Sequence, residues 1–313
     1  MKHFEEVILE NKTEANQVLF KLDKYHLKLI SQNDQLFPWI KHPSSVTFVP
    51  QFCVFLVSER SSRRLGVFEE NFKFRTWLNT EYPLIDPSKI LCLSNGFIVI
   101  VDQENLHIHD ASLSFIQTIC GCFHGLTEGA NGVIFTIQQS TEKSFLKGLK
   151  KYENDLVYKW TYSTELVVAQ EFSEWSLLSE CRFLLFDKNL LYITDSGLQK
   201  LYIVDLITHK QIASQVQLER PAGLLMDDSG NLLISDCCRI ISLNTSLQTS
   251  HIMIDGIPHL TELVRYQNRI LALRSKKRGE AIIAELCTFQ GCKDSLPKTW
   301  FDHAVCRNVA KTR

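Results

Sequence analysis

The sequence predicts an all-β fold, a six-bladed β-propeller with a short N-terminal helical segment. Two observations carry the propeller: residues 41–290 are built of short apolar runs punctuated by Gly, Asn, Asp and Ser, and one strand–turn–strand pattern recurs along them. A third carries the helix. Within residues 3–30 the apolar side chains of Phe4, Val7, Ile8, Ala15, Val18, Leu19, Leu22, Tyr25, Leu27 and Leu29 fall mostly three and four apart, which is helical spacing.

The helical segment is expected to end before Pro38 and the His42-Pro43 pair, since proline removes a backbone donor and disfavours helix in the residue before it. The division is therefore 1–40 helical, 41–290 propeller and 291–313 a tail.

The repeat is visible when FCVFLVSERSSRRLGVF (52–68), GFIVIVDQENLHIHD (96–110), GVIFTIQQS (132–140), NLLYITDSGLQKLYIVDL (189–206), NLLISDCCRIISLN (231–244) and NRILALRSKKRGEAIIAEL (268–286) are aligned. Each is an apolar strand, a polar turn often opened by an acidic residue, and a second apolar strand. Glu59, Asp102, Ile137, Asp195, Asp236 and Arg274 or Ser275 occupy the anchor position. Most steps between them approach the roughly 40–45 residues of a four-stranded blade. The long third step holds an insertion within 138–178. The runs before the anchors, 44–50, 88–94, 181–187, 221–229 and 260–266, fit the innermost strand of each blade. A radial array of such sheets leaves only short, protected edges.

Composition narrows the function classes. Of 313 residues, 45% are hydrophobic and 22% charged, and the formal charge is -1. These values disfavour disorder, and no global positive field points to DNA. No apolar run approaches the roughly 18–20 residues that span a bilayer, and the first residues lack a signal-peptide pattern, so the expected setting is cytoplasmic, away from membranes. Ten cysteines, without the paired short spacing of a zinc site, read as reduced, mostly buried thiols. No metal and no cofactor is expected.

One segment carries a family resemblance. Arg220-Pro221-Ala222-Gly223 enters an apolar strand, Asp227-Asp228-Ser229-Gly230-Asn231 makes a turn, and a second strand ends in Asp236, followed by Arg239-Ile240. This resembles an NHL repeat. Residues 180–206, with Asp195, Lys200 and Leu201, and the stretch with Pro43, Glu59 and Arg64-Leu65 match it more loosely. The resemblance implies a six-bladed propeller like the C-terminal domain of tripartite-motif NHL proteins. It implies a recognition surface, for proteins in some members and single-stranded RNA in others. No RING or B-box pattern is present, so any place in a ubiquitin pathway would be as an adaptor or substrate-recognition module.

In a propeller the turns after the second strands gather on one face. Here they carry Arg60, Arg63 and Arg64, Lys200, Arg239, and Lys276, Lys277 and Arg278. The expected function is non-enzymatic protein binding through this face. The main alternative is single-stranded RNA, because such a basic ring attracts phosphates, although the turns lack aromatic platforms. The enzymatic alternative is a metal-dependent hydrolase using Asp187, Asn189, Asp195, Asp227, Asp228 and Asp236, residues that also suit structural turns. His107 and His109 share one face of a strand and are expected at the surface. Oligomeric state is not legible.

Overall fold

The computed structural model describes residues 19–22, 25–33 and 40–293, apart from short internal stretches, the longest being 171–180. The chain is all-β, with almost no helix, and its sheets take a β-propeller arrangement. Among the described residues there are five four-stranded antiparallel sheets, one five-stranded sheet and a two-stranded hairpin. Consecutive strands lie side by side in four of the four-stranded sheets, as the repeat predicts, and in the remaining one Ile134–Gln138 neighbours Leu156–Trp160 across the insertion.

The inner strands are Pro43–Val49, Pro87–Cys92, Phe123–Glu128, Cys181–Asp187, Pro221–Met226 and Leu260–Tyr266. Each packs beside the next, and the last packs beside the first. Between adjacent sheets lies an apolar cluster. Val49, Leu56 and Leu65 of the first sheet meet Ile90, Ile98 and Ile100 of the second. The circuit closes where Leu271 and Leu273 of the last sheet meet Ile40, Phe55 and Phe68. Second and third strands are apolar on both faces because each sheet is covered on both sides: every residue of Val54–Glu59, Ile98–Asp102 and Leu232–Asp236 is buried. Each fully buried Leu, Ile, Val or Phe contributes about 1.5–3 kcal/mol.

One expectation changes. The predicted N-terminal helix gives way, where described, to strands Leu19–Leu22 and Tyr25–Asn33. Tyr25–Asn33 pairs with Ala281–Lys293 and so completes the sheet of Leu260–Tyr266 and Arg269–Arg278. Tyr25, Leu27 and Leu29 alternate with His26 and Lys28, a period-two pattern inside the wider helical spacing. Residues 1–18 and 294–313, including most of the expected tail, lie outside the described residues. The insertion falls between strands Ile134–Gln138 and Leu156–Trp160 and includes the hairpin Ser144–Leu146 with Leu149–Lys151.

Candidate functional site

The anchors end their second strands and hold the chain entering the inner strand. Asp102 accepts the amides of Ile85 and Asp86, at 2.5–2.9 Å. Asp236 accepts those of Glu219 and Arg220 at 2.9 and 2.6 Å, and Glu59 that of His42 at 2.8 Å. Burial pushes Glu59 and Asp102 up, but donated hydrogen bonds more than offset it, so both sit below the usual carboxylate range. Asp195 accepts from Gly197 and Leu198, and Asp227 from Ser229 and Asn231. Several acids considered as metal ligands are thus engaged in turns. Among the described residues no group of three His, Cys, Asp or Glu is placed to hold a metal ion.

The turn basics are positioned by the same anchors. Arg60 is exposed and forms a fork-like pair with Asp86. Arg63 is exposed at a left-handed φ of 58°. Arg64 opens strand Arg64–Glu69, its guanidinium 5.8 Å from the Trp77 ring centroid. Lys200 is exposed at the start of Lys200–Asp205. Arg239 folds onto Asp236 at 2.8 Å and lies 3.6 Å from Glu219. Lys276, Lys277 and Arg278 were expected in a turn; they belong to strand Arg269–Arg278, which pairs with Ala281–Lys293 well past the anchor position. The basic positions are therefore distributed among ion pairs, the Arg63 turn and strands. In the connection before Pro87–Cys92, Tyr82 and Ile85 are 51% and 47% exposed, the Tyr82 ring 4.4 Å from that of Phe115, and Leu198 in the turn before Lys200 is 40% exposed.

Two further expectations are corrected. His107 and His109 are buried, because their strand Asn105–His109 is covered by its neighbours. Nδ1 of His107 lies 2.9 Å from Thr118 Oγ1, and its Nε2 lies 3.4 Å from Asp102. Of the cysteines Cys53, Cys92, Cys120, Cys181, Cys237 and Cys238, all free thiols, Cys181 alone is buried; Cys53 and Cys120 are exposed.

The sequence reading missed an axial layer. In all six sheets the pairing of inner and second strands shifts by one residue near the start of the inner strand, as at Pro43/Val46 and Leu260/Leu263. Such bulges re-aim side chains. The residue two beyond the start of each inner strand is Ser45, Lys89, Gly125, Phe183, Gly223 and Glu262 in turn, so small and large alternate around the ring.

The small members serve the close approach of neighbouring strands. Ser45 Oγ accepts from the Ile90 amide at 3.0 Å. A Cβ on Gly223 would stand 2.5 Å from Thr261 O, and one on Gly125, at φ +63°, 2.9 Å from Arg182 O. The large members converge. Lys89 Nζ is ion-paired with Glu262 Oε1, and Nζ lies 5.5 Å from the Phe183 ring centroid. Glu262 Oε2 accepts the Val46 amide at 2.6 Å. The Lys89 side chain is 15% exposed and that of Glu262 2%. Burial pushes the Lys89 ammonium down, to about 7. The signal was a charge inside an inner strand, Lys89 in PSKILC and Glu262 in LTELVRY, but pairing the two requires the ring.

Similarity to solved structures supports the propeller. A gluconolactonase of Xanthomonas campestris superposes with a TM-score of 0.62 at 13% identity, over 87% of this chain and 97% of that one. Virginiamycin B lyase from Staphylococcus aureus, with quinupristin, gives 0.58 at 11%, over 84% and 88%. A chain of the nidogen/laminin complex gives 0.55 at 13%, over 77% and 93%. At such identities the likeness is one of fold. No protein-family model matches the chain, and neither does any curated protein sequence.

Proposed function

We propose that the chain is a non-enzymatic, six-bladed propeller of NHL type that binds a protein partner through the rim bearing Arg60, Arg63, Arg64, Lys200 and Arg239. The N-terminal strand Tyr25–Asn33 completes its last blade. One observation carries the choice of partner: Arg60 and Arg239 in these turns are already ion-paired, while apolar side chains such as Ile85 and Leu198 stand exposed next to such turns. Arg60 is held by Asp86 and Arg239 by Asp236, and the exposed Ile85 directly precedes Asp86. Exposed apolar side chains next to Arg suit a protein interface, whereas phosphate binding draws on unpaired positive charge. The nidogen/laminin likeness is compatible with a binding role, and the lyase and gluconolactonase likenesses leave catalysis as the competing class.

The test compares wild type with Tyr82→Ala/Ile85→Asp as baits in nuclease-treated extract. A protein that binds wild type, resists moderate salt and is lost from the variant supports the reading. Recovery of RNA with steeply salt-dependent affinity would overturn it in favour of the RNA alternative.

A further inference from the structure

We propose that Cys237 and Cys238 form a two-thiol binding site for a trivalent arsenical, R–As(OH)2, which closes a ring across the pair. The two residues are the centre of the tight turn between Leu232–Asp236 and Arg239–Leu243, where Asp236 stands opposite Arg239. Both are free thiols and both are half-buried rather than enclosed, so a small molecule reaches them from solvent. The backbone is held on either side: the Cys237 amide donates to Arg220 O at 3.2 Å, and Cys238 O accepts the Ile257 amide at 2.9 Å. Consecutive Cα atoms lie about 3.8 Å apart across a trans peptide, so the two side chains leave this fixed backbone as neighbours.

Neither packing nor the turn calls for cysteine here. Free Cys is ordinarily a core residue, and these side chains are not in the core. The first turn position is left-handed, at φ 57°, as is Gln103, at φ 53°, in the matching turn after Asp102. Such positions favour Gly, Asn or Asp. What the pair supplies is sulfur at two adjacent positions, and it is loosely engaged: Cys238 Sγ lies 3.8 Å from Asp255 Oδ1. Burial, Asp255 and the neighbouring Cys237 push the Cys238 thiol up, so it keeps its proton at neutral pH.

The step uses protonated thiols and balances without an oxidant or a reductant. Each sulfur lone pair attacks arsenic, one As–O bond breaks for each S–As bond formed, and the thiol proton leaves with the departing hydroxyl as water. Two thiols and R–As(OH)2 thus give a cyclic dithioarsenite and two waters, with arsenic trivalent throughout. The second bond forms within the molecule, at the high effective concentration of the adjacent thiol. A bridged adduct therefore outlasts a one-thiol adduct by on the order of 10²–10⁴-fold.

The full, reduced chain is treated with phenylarsine oxide, whose hydrate is the R–As(OH)2 species, washed with excess 2-mercaptoethanol and alkylated with iodoacetamide. Then 2,3-dimercaptopropanol strips the remaining arsenical, and isotopically heavy iodoacetamide marks the thiols it had covered. Peptide mass spectrometry should find heavy label on Cys237 and Cys238 together and light label on the exposed Cys53. Retention on the pair through the monothiol wash should exceed that at Cys53 at least about a hundredfold. Cys237→Ser or Cys238→Ser, either alone, should return the remaining thiol to light label and leave Cys53 unchanged. Light label on both residues of the wild type, or an arsenical that a single-serine variant's remaining thiol still holds through the wash, overturns the proposal. The wild-type comparison does not depend on either variant folding.

Discussion

The carboxylate of Glu262 accepts the amide proton of Val46 at 2.6 Å across 216 residues of sequence, and its other oxygen holds Lys89. One side chain of the last sheet thereby engages the first two. Removing a partner from a buried ion pair strands a charge, so Lys89→Met is expected to cost about 3–5 kcal/mol. Adding Glu262→Leu should recover most of that, because an apolar replacement of both partners is often neutral. Urea unfolding of the single and double variants measures this; a double variant as unstable as the single would refute it.

The depressed Lys89 ammonium also gives the axis a pH dependence. Between about 7 and the ordinary lysine range near 10.4, the unfolded chain binds a proton that the folded chain has lost, so folded stability rises with pH in that window. The double variant Lys89→Met/Glu262→Leu should show a shallower rise. Equal slopes for both proteins in urea titrations at pH 7.5 and 9.5 would contradict the assignment.

On the acid side the anchors act in the opposite sense. Glu59 and Asp102 titrate below their usual range when folded, so their contribution is complete at neutral pH and is lost as pH falls through and below that range. Asp102→Asn should lower stability by about 2–3 kcal/mol at pH 7, the scale of hydrogen bonds to a charged group. Its loss relative to wild type should shrink by pH 3, which thermal unfolding across that interval would reveal.

Gly223 admits no side chain without movement of the backbone beside it, since an added Cβ would meet Thr261 O at 2.5 Å and Leu263 N at 2.6 Å. Gly223→Ala should destabilise by at least about 1–3 kcal/mol, the usual scale of overpacking. By contrast, Ala at Gly129 would press only on the Phe135 ring. If the two substitutions prove equally mild by chemical denaturation, the close approach of the inner strands is not as described.

The sheets were legible because their determinants are local. Alternating apolar runs, the Gly230-Asn231 turn and acidic anchors such as Asp236 announce themselves within a few residues, and each of Glu59, Asp102, Asp195 and Asp236 ends a second strand as expected. Tyr25–Asn33 was misread because its two-residue alternation sits within apolar spacing that also suits a helix, and its partner Ala281–Lys293 lies at the other end of the sequence. The pairing of Arg60 with Asp86 could not be read from the turn alone, since it depends on Asp102 drawing the Ile85 and Asp86 amides to the same rim. Lys89, Phe183 and Glu262 come together only through the common bulge, which no local signal encodes.

Because Tyr25 pairs with Lys293, the beginning and the end of the described chain are neighbours in a single sheet. The order in which the sheets are synthesised is then separable from the order in which they stand. A circular permutant with residues 25 and 293 joined by a short linker and new ends opened in the 79–83 connection should rebuild the same closed circuit. Cutting at residue 40 would instead strip Tyr25–Asn33 from the last sheet and bare the edge of Ala281–Lys293, turning a closed molecule into one that can recruit strands from its neighbours.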